Sequence, residues 1–206
     1  MTNNDLTSNN NLVRRLAGIA LLATPALLFG AMVTTPAQDD DSTPAYLESL
    51  ARDWDLSILS ANFYHYFWVV LALGLPALLT LLRGRRGRTI ATIGVAGGML
   101  GAIQMSGLIF ADWFNAAGPA VVGLDQAVAI TSKVNADPSM SFWLTSGIAL
   151  GLVMPAIAMA GLARNGVIGW WAAPVALLPM IAGPMVGGFA GAVVGSLVGA
   201  ACCAPL

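Results

Sequence analysis

The sequence predicts an all-α fold, a polytopic membrane helical bundle of about five transmembrane helices with two short extracytoplasmic surface helices. Three observations lead there. Hydrophobic residues make up 57% of the 206 residues and charged residues only 9%, with a mean hydropathy of +0.77, whereas a water-soluble domain carries about 25% charged residues. The apolar residues gather into runs of roughly the 20 residues that a helix needs to cross a bilayer. The few charges fall between those runs. This composition excludes a soluble enzyme, a disordered regulator and a nucleic-acid-binding module, since a net charge of −1 exerts no general pull on a polyanion. The two cysteines, Cys202 and Cys203, are adjacent, which excludes a disulfide framework.

Residues 1–11 are polar and Asn-rich and read as a disordered cytoplasmic tail; residues 12–206 form a single transmembrane domain. The first span is expected at about 16–34, after Arg14 and Arg15. An arginine pair before an apolar run also describes a signal peptide, but this run is long for one, so an uncleaved span is the better reading. An extracytoplasmic loop follows at 35–57, with the acidic residues Asp39, Asp40, Asp41, Glu48, Asp53 and Asp55. Within it, Thr43-Pro44 suits an N-cap and first helical position, and Tyr46, Leu47, Leu50 and Trp54 recur at helical spacing. This predicts a short amphipathic helix on the membrane surface.

The second and third spans, about 58–82 and 89–111, are joined by the short connector at Gly84 to Arg88 and so form an antiparallel hairpin. A second extracytoplasmic loop is expected at 112–141, with Leu124 to Val134 as the second surface helix. The fourth span is about 142–163. The last apolar stretch, Ile168 to Cys203, would be roughly 54 Å long as one helix, against a hydrocarbon core of about 30 Å. One tilted or kinked span at about 169–192 is favoured over a re-entrant or sixth segment.

With five spans, Arg14, Arg15, Arg83, Arg85, Arg86, Arg88 and Arg164 fall on one side and Arg52 and Lys133 on the other. Basic residues in short loops mark the cytoplasmic face. The N-terminus is therefore expected inside and the C-terminus outside, in an inner (plasma) membrane. Trp54, Trp113, Phe114, Phe142 and Trp143 would border the outer face, and Trp170 and Trp171 the inner one.

Three constellations stand out. Gly183, Gly187, Gly191, Gly195 and Gly199 recur every four residues, which on a helix makes a groove for a neighbouring backbone, within the same chain or on another. Gly97 with Gly101 and Gly147 with Gly151 are shorter versions. The second constellation is an outer-leaflet polar cluster. His65, the only histidine, sits in Asn62-Phe63-Tyr64-His65-Tyr66, and the antiparallel third span brings Gln104 to similar depth and Asp112 to the outer end, with Thr145 and Ser146 from the fourth span. Ionisable groups within a membrane are functional-site hypotheses by default. His65 and Asp112, with Gln104, Tyr66 and Asn62, could exchange protons or hold a ligand. The blander reading is favoured: a neutral histidine is satisfied by Gln104 or a backbone carbonyl, and Asp112 is simply hydrated. Third, Arg83, Arg85, Arg86 and Arg88 read as a membrane-surface anchor against anionic headgroups.

Other chemistries find no support. One histidine cannot supply bis-histidine haem ligation, and no cluster has zinc-ligand spacing. Neither a phosphate-binding glycine motif nor a hydrolase or metalloprotease motif occurs. Asp39 to Asp41 read as a solvated acidic loop, and acylation of Cys202 and Cys203 would need the opposite topology. No catalytic residue, metal or cofactor is expected. Partners are the lipid bilayer and other membrane-protein subunits or a second copy of the chain, with no nucleic acid. Two functions follow. One is a non-enzymatic accessory or scaffold subunit. The alternative is a small carrier or binder of an ion or lipophilic ligand using the His/Asp/Gln/Tyr cluster.

Residues 40–115 carry a further signal: Tyr46-Leu47 in a short helix, an apolar span with His65 and Pro76, Leu81-Leu82-Arg83-Gly84-Arg85-Arg86-Gly87-Arg88, then a Gly-rich span ending near Asp112. This part resembles small multi-pass bacterial inner-membrane proteins of unknown function. The resemblance implies a bacterial inner-membrane location and carries no activity with it.

Overall fold

A computed structural model describes residues 3–177 and Val193. Among the described residues all regular structure is helical: α1 (Asn3–Thr34), α2 (Thr43–Arg52), α3 (Trp54–Gly74), α4 (Arg88–Val122), α5 (Leu124–Asn135), α6 (Pro138–Asn165) and α7 (Ala172–Val175), a single turn. Four segments are long and apolar enough to cross a membrane: Arg15–Thr34, Trp54–Leu81, Arg88–Val122 and Pro138–Asn165. These are the helices of a membrane protein. Of the fifth expected span at 169–192, residues 169–177 are described and hold α7. The glycine series Gly183 to Gly199, and Cys202 and Cys203, lie outside the described residues.

Several boundaries differ from expectation. The Asn-rich segment read as a tail is helical from Asn3, continuous with the first span. The first surface helix ends at Arg52, so Trp54 opens α3 instead of continuing it. Asp53 makes the break with φ −136° and ψ 90°, and its carboxylate accepts from Leu56 N at 3.0 Å. The cap of α2 is Ser42, one residue before the expected Thr43; its hydroxyl accepts from Ala45 N at 3.3 Å. Beyond Gly74 the second span tightens to a 3-10 helix, Leu75–Leu81, because Pro76 has no N–H to continue the α-helical ladder. The largest difference is in α4. Residues 112–122, expected in a loop, prolong the helix to Val122, where Gly123 at φ 83° ends it. The helix passes through Pro119 without ending there, since the cooperativity of a long helix outweighs one lost backbone bond, and α4 at roughly 52 Å outreaches the hydrocarbon core.

α1 packs on α3, α3 on α4 and α4 on α6, and α2 lies against α4 and α5. Leu21, Leu75, Leu78, Val95, Ala158, Met159 and Leu162 form a buried cluster joining all four long segments. Around it Ile19, Leu73, Ile93, Leu100, Ile103, Phe110 and Val153 face outward, as lipid contact requires.

The α4–α6 contact is built from small residues. A Cβ added to Gly101 would strike the Gly151 backbone, one on Gly94 the Ala158 backbone, and one on Gly161 the Ala91 backbone. Buried Ala91, Gly94, Gly98 and Gly101 thus line one face of α4 at alternating three- and four-residue steps. Gly97 lies beside this line, against the Met154 side chain.

Candidate functional site

The helix ends remote from the arginine loop carry the polar side chains singled out above, and the fold sorts them into separate pairs. His65 on α3 meets Ser106 on α4, with 3.0 Å between Nδ1 and the serine Oγ. Gln104 on α4 donates through Nε2 to Ser146 Oγ on α6 at 3.2 Å, and that hydroxyl donates to the Trp143 carbonyl at 3.1 Å. Asp112 accepts a 2.5 Å hydrogen bond from the Tyr46 hydroxyl of α2. Asn62 turns back to its own helix, donating to the Ile58 carbonyl at 2.8 Å. Tyr66 is 54% exposed and stacks edge-on with His65, the ring centroids 5.2 Å apart.

Helical geometry explains the sorting. Gln104 and Ser106 are two residues apart, which turns their side chains about 200° from each other. One faces α6 and the other α3. His65 therefore bonds to Ser106 and not to Gln104, and Asp112 bonds to Tyr46 and not to His65. Gln104 Oε1 is buried and has no hydrogen-bond partner among the described residues. A lone buried acceptor of this kind can receive an N–H or O–H from a small ligand or a water.

Burial pushes the Tyr46 phenol well above its ordinary value of 10.0, and the Asp112 carboxylate beside it adds to the effect; a hydrogen bond with Asn115 opposes it. Tyr46 consequently stays a donor, and the pair fastens α2 to α4.

Hydroxyls that the sequence pattern does not single out fasten α3 to α2 and to α1. Ser57 Oγ donates to the Leu50 carbonyl at 2.7 Å, tying α3 to α2. Ser60 Oγ donates to the Ala31 carbonyl at 3.1 Å and lies 3.1 Å from Thr35 Oγ1, tying α3 to α1. Ser57 and Ser60, three residues apart within an apolar span, were the available signal. At the opposite end, Arg83, Arg85, Arg86 and Arg88 are exposed on the α3–α4 connection. No family model, curated protein or solved structure matches the chain.

Proposed function

We propose that the chain is a structural, non-catalytic membrane subunit that packs against a larger membrane complex or a second copy of itself. In this reading it sits in a bacterial inner membrane with the arginine-rich end cytoplasmic and the C-terminus extracytoplasmic, following the positive-inside bias. The observation that supports it is the use made of the polar side chains. His65, Asp112 and the Gln104 amide nitrogen each engage a neighbouring helix, so they serve packing. Extraction of the native membrane into nanodiscs, with crosslinking before solubilisation, tests the reading. Defined co-purifying subunits or a discrete oligomer are expected, and a lone monomer under both conditions overturns it.

The unpartnered Gln104 Oε1 favours a second reading, a binder of a small or lipophilic ligand between α4 and α6. Mass spectrometry of gently extracted protein would then find a bound small molecule that Gln104→Leu loses. Identical small-molecule content in the two proteins removes this reading.

A further inference from the structure

The arginine loop has a structure of its own. Gly84 and Gly87 take left-handed φ values of 84° and 74°, so the chain turns sharply twice between the 3-10 segment and α4. Asn165, the last residue of α6, holds the result in place. Its Oδ1 accepts from Arg83 N at 2.8 Å, and its Nδ2 donates to the Arg83 carbonyl at 3.1 Å and the Arg86 carbonyl at 2.5 Å. One side chain thereby pins both limbs of the loop. At Gly87 the loop presses on α6: an added Cβ there would strike the Gly161 carbonyl and lie 3.3 Å from Arg164 Cβ. Arg164 therefore lies beside the loop that carries Arg83, Arg85, Arg86 and Arg88, and all five residues are exposed. Among the described residues the only ion pair is Arg52 with Asp39 at 3.0 Å, so none of the five is neutralised by a described carboxylate.

The surroundings state what kind of anion fits. The loop joins two helices long and apolar enough to cross a membrane, which puts the guanidinium groups at the level of lipid headgroups. Exposed Ile90 lies in the first turn of α4 just beyond the patch, and exposed Trp170 and Trp171 follow Arg164 by six and seven residues. Tryptophans favour the interface between headgroups and hydrocarbon. A ligand that satisfies this site has a negative head and an apolar tail.

We propose that the Arg83–Arg88 loop with Arg164 is a saturable binding site for the headgroup of an anionic phospholipid, and that Asn165 is its positioning residue. Guanidinium groups bind phosphate oxygens through paired hydrogen bonds. Holding the loop backbone in advance reduces the ordering cost of binding, which separates a site from a diffuse basic surface.

The test uses the full chain in mild detergent, titrated with phosphatidylglycerol or phosphatidylcholine and followed by native mass spectrometry. Phosphatidylglycerol is expected to saturate at a small fixed number per chain, and phosphatidylcholine to bind weakly and without saturation. Arg85→Gln with Arg86→Gln removes two exposed charges, and at about fivefold per arginine lowers the phosphatidylglycerol affinity about 25-fold. Asn165→Ala keeps every charge; it is expected to lower that affinity at least threefold, with phosphatidylcholine binding unchanged and the helical circular dichroism intact. Equal binding of the two lipids, or an unaffected double arginine variant, overturns the lipid site. Displacement by millimolar inorganic phosphate as effective as by the lipid would also overturn it, assigning the patch to a free anion. Full affinity in Asn165→Ala overturns the positioning role.

Discussion

α4 makes two kinds of contact along its length. Toward α6 it presents Ala91, Gly94, Gly98 and Gly101, and the two backbones meet where side chains are missing. Toward α3 and α2 it meets large side chains, Phe67 and Trp68 in a cluster with Ala102, and hydrogen-bonded pairs, Ser106 with His65 and Asp112 with Tyr46. The difference follows from the solvent. Two apolar helices surrounded by lipid gain nothing from the hydrophobic effect when they meet, so affinity must come from close van der Waals packing or from hydrogen bonds. Toward α6 close packing predominates, with the Gln104–Ser146 hydrogen bond beside it; toward α3 and α2 hydrogen-bonded pairs join large side chains.

The largest loss is expected at the small-residue contact. Gly101→Leu would drive a side chain into the Gly151 backbone, and a loss of about 3 kcal/mol is expected, measured by reversible unfolding in mixed micelles. A change below 1 kcal/mol would mean that α4 and α6 can separate at little cost. On the polar side, Tyr46→Phe leaves Asp112 without its donor and should cost about 2 kcal/mol by the same measurement, with α2 gaining hydrogen exchange before the long helices do. The same contact predicts a pH dependence. Because the Tyr46 phenol is raised in the folded chain, the unfolded chain loses this proton first. Its contribution is therefore complete below the ordinary value of 10.0 and falls as pH rises beyond it. At pH 11 the loss relative to Tyr46→Phe should be about 1 kcal/mol, one pH unit above the unfolded phenol. Ser106→Ala is the smallest perturbation, at about 0.6 kcal/mol for a single bond between helices in a membrane. It should shift the ring signals of His65 in nuclear magnetic resonance spectra while leaving those of Trp143 unchanged.

Particular residues mark how far the sequence could be read. Ser42 and Asp137 cap α2 and α6 through bonds to residues three and two positions ahead, a distance that local pattern covers. Leu124–Asn135 matched its expected limits within a residue because Gly123 precedes it and no apolar run overrides it. The run of α4 past Asp112 is not legible in the sequence, because polar residues end contact with hydrocarbon without ending a helix. The four-residue glycine spacing points to Gly101 and Gly151, which do meet, but not to Gly94 and Gly161, whose partners are Ala158 and Ala91. A four-residue glycine rule does not register alanine as equally small.

The apolar helices and the gathering of arginine at the connections are legible in the sequence, because each depends on local composition against the thickness of a bilayer. Only the tertiary structure decided who bonds to whom. His65 was expected beside Asp112 or Gln104 and lies against Ser106, while Asp112 belongs to Tyr46, 66 residues away. The physical reason is rotational. A shift of two residues along a helix turns a side chain to a different neighbour, and which neighbour waits there is fixed by packing between helices distant in the chain. Asn165 teaches the same lesson at the other end: a polar residue that by sequence only closes the fourth span is the clamp of the arginine loop where α6 lies beside it.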